Sequence, residues 1–515
     1  MSSLPDLHYE LDDRYRRRSG RVYLTGIQAL VRLLLEQRRL DAARGLETAG
    51  FVSGYRGSPL AGFDRELARA SGTLERERIR FQPAVNEALA ATAVMGTQQV
   101  ESFGGARVDG VFAVWYGKGP GVDWAGDAIK HGNAYGTSPR GGVLAVAGDD
   151  HGAVSSTMAH QSDQTFAAWS LPVLAPASIE DYLLFGLYGF ALSRFSGAWV
   201  GFKAIAETVE GAMSVTLPER WPEFVTPDDF TPPPDGLHFR WNDPPSVAIE
   251  ARLARKLEAA EAFARANPVI DRLVVDAPRA RLGIVTVGKA HGDLMAALAA
   301  LGFRSEPEIA RLGLRIYKVG QSFPLEPTRI LAFAAGLEEV FVVEEKRPFV
   351  ESRIKELLYD LPEGRRPRVI GKRDSGGAEL LPAFGELRPH RIAPVLAERL
   401  RRIHPGLDFS ERLARLRPST PPPAEVRRIP WFCSGCPHNR STLVPEGSTA
   451  MGGIGCHIMA TWMDRRTIGI THMGGEGANW VGLSPFVETP HVFQNLGDGT
   501  YFHSGLLAIR QAVAA

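Results

Sequence analysis

Short unbroken apolar runs recur along this chain, separated by stretches with helical spacing, and that alternation limits the fold more than any other feature. Val108–Trp115, Val143–Ala147 and Ala198–Lys203 read as buried strands, and Phe51–Ser53 leads into a Gly/Pro turn. Helical stretches lie between them: Glu87–Val100, and one opening at Ser178, which with Asp181 resembles a capping box. Ahead of these, Val22–Leu35 places Ile27, Leu30, Val31 and Leu34 on one helical face, with Thr25 as its N-cap. A strand that is apolar throughout has no face left for water, so strand–helix alternation of this kind predicts a parallel α/β sheet with helices on both sides. Residues 17–226 form the first expected domain.

The pattern restarts after a break. Pro-rich TPDDFTPPPDG, residues 226–236, marks a boundary, and Ser246–Ala264 (Ile249, Leu253, Leu257, Phe263) reads as a connecting helix, so 227–279 is a linker. Leu282–Val287, Leu314–Val319 and Val340–Glu344 then read as strands, with Gly292–Leu301 and Phe349–Tyr359 helical. This is a smaller α/β domain over 280–400. A Pro-rich linker, 401–430, precedes a third domain that opens at 431 and runs to 515.

Composition excludes several classes. At 515 residues, 44% hydrophobic and 23% charged, the chain is globular and too long for one core. Its 59 basic and 58 acidic residues leave a net charge of +1, which gives no general field for a polyanion, so nucleic acid is not an expected partner. The N-terminus mixes charges of both signs without an apolar core, and no later stretch reaches membrane-spanning length; the expected location is the cytoplasm, with no membrane partner. Three cysteines, all between 433 and 456, exclude a disulfide framework.

Chemistry concentrates in glycine-rich segments. GDGTYFHSG, Gly497–Gly505, follows the strand-like HVFQNL and precedes the helical LLAIRQAVAA. A strand, a Gly-Asp-Gly turn and a helix put a carboxylate and free amides at a helix N-terminus, which suits a diphosphate held through Mg²⁺. Asp498 would be the metal ligand, with Gly497 and Gly499 approaching the phosphates; the plain alternative is a turn with Asp498 as a helix cap. HMGGEGANW, His472–Trp480, offers Gly475 and Gly477 for the same purpose, or is simply a flexible loop. GKGPG, Gly117–Gly121, lacks the spacing and hydroxyl of a Walker A loop and reads as a strand-to-helix connection.

Taken in order, SGYRGSP (53–59), NEALAATAVMGTQ (86–98), GDDHGAVSS (148–156), FCSGCPHN (432–439), GGIGC (452–456) and GDGTYFHSG resemble the indolepyruvate ferredoxin oxidoreductases of the 2-oxoacid:ferredoxin oxidoreductase family. The resemblance is to the N-terminal portion of their large fused proteobacterial form and spans essentially the whole chain. It implies a thiamine-diphosphate-binding α/β fold with a transketolase C-terminal-like α/β domain in the middle. It also implies oxidative decarboxylation of an aryl 2-oxoacid to an acyl-CoA, with coenzyme A and ferredoxin as partners, in a homodimer.

Residue by residue, the resemblance makes Glu87 the carboxyl that hydrogen-bonds the aminopyrimidine and opens the way to the ylid. The ordinary alternative is a glutamate favoured by its helix N-terminus. Ser58, in YRGSP, would hydrogen-bond the 2-oxoacid carboxylate, and Arg56 would add a charge-assisted contact or simply lie at the surface. The segment after GDDHGAVSS, TMAHQSDQ, lacks the arginine of many relatives, and His151 and His160 read as structural or hydrogen-bonding residues. Cys433, Cys436 and Cys456 match a trio that relatives use, with a distant fourth cysteine, to hold a [4Fe-4S] cluster. Zinc completed by His438 or His457, and three inert thiols, remain open. Only 16 residues follow Gly499, which by the resemblance leaves the diphosphate-binding domain short and the chain incomplete for catalysis. A non-oxidative thiamine-diphosphate decarboxylase or carboligase is the competing activity.

Overall fold

The computed structural model describes residues 6, 8–240, 243–416, 426 and 428–515. They fall into two compact units, Met1–Pro418 and Ser419–Ala515, and the Pro-rich segment 417–425, read as part of a linker, lies outside the described residues.

In the first unit the strands are β1 (Gly20–Thr25), β2 (Ala49–Gly54), β3 (Ile79–Phe81), β4 (Val111–Lys118), β5 (Val143–Asp149), β6 (Val173–Leu174), β7 (Trp199–Ile205), β8 (Ala212–Leu217), β9 (Arg272–Val275), β10 (Leu282–Val287), β11 (Leu314–Val319), β12 (Gln321–Phe323), β13 (Glu339–Val343) and β14 (Arg368–Ile370). A seven-stranded sheet has the order β12-β6-β7-β5-β4-β2-β3, and a five-stranded sheet the order β14-β13-β10-β11-β9. Both are parallel except for one edge each, where β12 meets β6 and β9 meets β11 antiparallel. The α/β class expected from the apolar runs is the class observed. β5 and β7 are buried at every position, which is why they read as unbroken apolar runs.

Three differences from the sequence reading have local causes. The segment opening at Val22 holds a strand ahead of its helix: Val22 and Leu24 alternate inward along β1, which pairs with β8, and Thr25, as expected, caps the helix Gly26–Ala43, in a reciprocal box with Gln28. The strand expected over Val108–Trp115 runs three residues further, to Lys118. Residues 401–416, read as linker, are the end of the helix Pro389–Ile403 and a short helix Ser410–Arg415, held by buried Phe409 in the core of the second sheet.

The carboxyl edge of the second sheet is filled with polar groups. Glu344, beyond β13, accepts the amides of Phe349, Val350 and Glu351 at 2.9–3.0 Å and so caps the helix Val350–Tyr359. Burial pushes its carboxyl up to about 7. Lys289, beyond β10, lies 2.7 Å from Asp293, 3.1 Å from Glu386 and 3.4 Å from Glu345. Lys372 donates to the carbonyls of Glu344 and Pro382. From the first sheet, His151 reaches this cluster with its ring 3.6 Å from Glu345, and Lys346 donates to its carbonyl. The ring is 1% exposed and its nitrogens have no hydrogen-bond partner; burial, reinforced by Lys203, Lys346, Lys289 and Lys372, holds it well below the usual histidine value.

In the second unit, β15 (Ala450–Met451) pairs in parallel with β16 (Thr467–Ile468) and β17 (Phe493–Gln494).

Candidate active site at the carboxyl edge of the first sheet

β4 lies between β2 and β5, all three parallel, so Gly54, Lys118 and Asp149 end on one side of the sheet. In open α/β sheets ligands bind beyond that side. Three of the sequence segments start there: the YRGSP turn leaves β2, GKGPG leaves β4 and GDDHGAVSS leaves β5.

Glu87 opens the helix Glu87–Thr97, whose cap is Asn86, accepting the Leu89 amide at 2.9 Å. The residue is 5% exposed, and the indole of Trp115 on β4 fixes its carbonyl at 2.9 Å. Its carboxyl rests on Gly121, where a Cβ would sit 2.4 Å from Glu87 Oε1. Only glycine leaves that space.

Asp150 curls its own loop. Its oxygens accept the amides of Val154 and Ser155 at 3.1 and 2.8 Å and the Ser155 hydroxyl at 3.3 Å. Burial pushes this carboxyl up, but the amides of Ser155 and Val154 outweigh it and hold it below the usual value. Asp149 accepts the amide and hydroxyl of Ser162 at 2.9 and 2.6 Å, and burial raises its carboxyl. Asp163 pairs with buried Lys203 at 2.9 Å. His160 lies over Gly119 and contacts Asp123 at 3.2 Å, a structural role.

Lys118 is the residue that sequence reading passed over. As the last residue of β4 it projects from the middle of the sheet edge, and its stem packs on Gly57, where a Cβ would lie 2.8 Å from Lys118 Cδ. Its ammonium donates to the Ser155 carbonyl at 3.2 Å. Burial lowers its pKa, while the charges of Asp150 and Glu87 act the other way. The other members of the YRGSP turn face elsewhere: Ser58 lines a surface groove with Thr25, Gln28 and Arg65, and Arg56 is exposed, its charge acting on Asp64.

The second unit gathers its own glycine-rich segments. Buried Glu476 accepts the amides of Ile454 and Gly474 at 3.2 and 2.6 Å, and Thr500 donates to the Ile454 carbonyl at 2.5 Å, so 452–456, 472–477 and 497–505 are tied together. Gly475 is buried, and Gly477 has φ 88°. Asp498 is exposed at the start of a short helix, Asp498–Thr500, that runs through Tyr501–Gly505 into Leu506–Ala514. His457 is fully buried, neither ring nitrogen has a hydrogen-bond partner, and burial with nearby His438 takes its pKa down to about 4. Both imidazoles flank Gly497, their centroids 5.9 Å apart. The His457 nitrogens, orphaned beside a glycine turn, fit a phosphate-bearing ligand, while the Nδ1 of His438 lies 3.4 Å from the Ser441 hydroxyl.

The cysteines do not fit a cluster in the same way. Cys433 and Cys456 are exposed and Cys436 is half-buried; Asn439 ties the CxxC turn through the Cys433 and Cys436 carbonyls. Among the described residues, no three His, Cys, Asp or Glu side chains gather as metal ligands, and no helix is long and apolar enough to cross a membrane.

Residues 272–420 match the family profile of the indolepyruvate oxidoreductase domain. Over 96% of this chain and 72% of the relative, the sequence is 25% identical to the indolepyruvate oxidoreductase subunit IorA of Pyrococcus abyssi. The same subunit of Methanothermobacter marburgensis is 24% identical over 98% of this chain and 75% of its own length. The chain is an oxidoreductase, a relative of the indolepyruvate oxidoreductases. A 2-oxoglutarate:ferredoxin oxidoreductase from Magnetococcus marinus, solved with 2-oxoglutarate, coenzyme A and succinyl-CoA bound, shares its fold: TM-score 0.50 over 74% of this chain and 66% of that one, at 16% identity. The profile match covers the second sheet of this oxidoreductase, whereas Glu87, Lys118 and Asp150 lie on the first.

Proposed function

We propose that the chain carries out thiamine-diphosphate-dependent oxidative decarboxylation of an aryl 2-oxoacid, such as indolepyruvate, yielding an acyl-CoA with ferredoxin as electron acceptor. The observation that carries this reading is the buried Glu87 carboxyl, seated on Gly121 at the carboxyl edge of a parallel sheet. The relatives named as indolepyruvate oxidoreductases support the substrate class.

In this reading the buried Glu87 carboxyl hydrogen-bonds a ring nitrogen of the aminopyrimidine. The second unit would hold the diphosphate through the amides around Gly475, Gly477, Gly497 and Gly499 and the rings of His438 and His457, with Asp498 taking Mg²⁺. One or two carboxylates suffice for Mg²⁺ when phosphates supply the remaining ligands. When bound, thiamine diphosphate supplies a carbon nucleophile for the keto carbon and an electron sink as CO₂ leaves. Ser58 and Arg56 are placed on the path of the acid by the resemblance alone. No step is routed through the cysteines. Such sites form where chains meet, so a homodimer belongs to the proposal.

Calorimetric titration with thiamine diphosphate and Mg²⁺, followed by dye reduction by 2-oxoacid, tests it. The expected result is saturable heat, reduction that requires coenzyme A, and a Glu87→Gln variant that binds cofactor yet exchanges its C2 proton about 10²–10⁴-fold more slowly. Absence of heat would sink the proposal. Aldehyde release with no acceptor would replace it with the non-oxidative activity.

A further inference from the structure

The first sheet presents a cation that its surroundings leave unused. Lys118 stands at the centre of the carboxyl edge, half-buried, its stem clamped by Gly57 and its ammonium aimed along the 150–156 loop. An ammonium has three donors, and one is taken, by the Ser155 carbonyl. Among the described residues it makes no ion pair. The acid on the same loop, Asp150, is already satisfied by Val154 and Ser155. The neighbouring lysines differ: Lys203 is paired with Asp163, and Lys289 with three carboxylates.

We infer that Lys118 anchors the carboxylate of the 2-oxoacid, an inference that rests on the function proposed above and names the group that selects its substrate. A half-buried ammonium with two free donors stabilises an anion more than an exposed one does, because water competes less. That carboxylate is the group the reaction removes from the acid, as CO₂. Lys118 therefore holds substrate and loses its grip once CO₂ has gone. While the carboxylate is still attached, such an interaction is made alike in the bound acid and in the transition state, so its loss appears in KM with kcat held.

The test uses phenylpyruvate and phenylacetone, which differ only by carboxylate against methyl, titrated into the full chain with and without thiamine diphosphate and Mg²⁺. The parent is expected to prefer phenylpyruvate. Lys118→Met should weaken phenylpyruvate about 10- to 100-fold, leave phenylacetone and thiamine diphosphate binding unchanged, and raise KM with kcat held. Lys118→Arg should restore most of the affinity, which guards against loss through misfolding. Equal phenylpyruvate affinity in Lys118→Met and parent, no phenylpyruvate binding by the parent, or a loss seen with Arg56→Ala instead would each overturn the assignment. Lys118-dependent phenylpyruvate binding by a chain that takes no thiamine diphosphate would uphold the anchor and refute the function on which it was built.

Discussion

The two parallel sheets of the first unit are built alike and end differently. At the carboxyl edge of the first, glycines hold space beside Glu87 and Lys118, Asp150 is occupied by its own loop, and a lysine keeps donors to spare. At the same edge of the second, Glu344 is consumed by three amides, Lys289 by three carboxylates and Lys372 by two carbonyls, and His151 closes the cluster from outside. A parallel sheet always delivers its strand ends to one side; that side becomes a site only where the polar groups gathered there do not satisfy one another. The first edge has room for chemistry, and the second has been turned into adhesive.

Exchanging lysine for methionine at both edges should break that contrast or confirm it. Lys289→Met leaves Asp293, Glu345 and Glu386 facing one another without a cation, and urea denaturation should register a loss of about 3–5 kcal/mol. The same change at Lys118 should cost less than about 0.5 kcal/mol, and equal losses would erase the distinction. Next in size is a pH effect. Glu344 titrates near 7 when folded against an ordinary 4.5, so the folded state binds the extra proton, and its stability is full below pH 4.5 and lost as pH rises through 7. Between pH 4.5 and 8, Glu344→Gln should therefore gain on the parent by about 3 kcal/mol, read from paired unfolding curves. His151 bears on the same curves with opposite sign: its folded pKa is depressed, so its contribution is lost as pH falls below 6.5. Smaller than the Lys289 and Glu344 effects is Gly121→Ala, whose Cβ must displace the Glu87 carboxyl; a cost of about 1–3 kcal/mol, with slower cofactor proton exchange, would show that the open edge depends on that missing carbon.

Much of this was legible in the sequence. Long strands announced themselves as unbroken apolar runs, and Thr25, Ser178 and Asn86 mark their helix starts by residue type alone. β1 escaped because its alternation of Val22 and Leu24 runs into a genuine helical face within one turn. β12 escaped because three residues, Gln321–Phe323, carry no periodicity and are defined only by their partner. Lys118 was missed for a related reason: a strand that ends on Tyr-Gly-Lys reads as having stopped at its last apolar residue, so the lysine passed for loop. The pairing of His438 with His457 around Gly497 is invisible in one dimension, where each stood only as an alternative fourth ligand for zinc.

The brief antiparallel contact between β12 and β6 has a consequence in time. The strand that completes one side of the first sheet is encoded about 150 residues after the strand it covers. At about 5–20 residues per second, a ribosome needs roughly 7–30 s to make that stretch, during which Val173 and Leu174 present an unpaired edge. Synthesis pace, and whatever shields a nascent edge meanwhile, thus enters the yield of this protein before any ligand does.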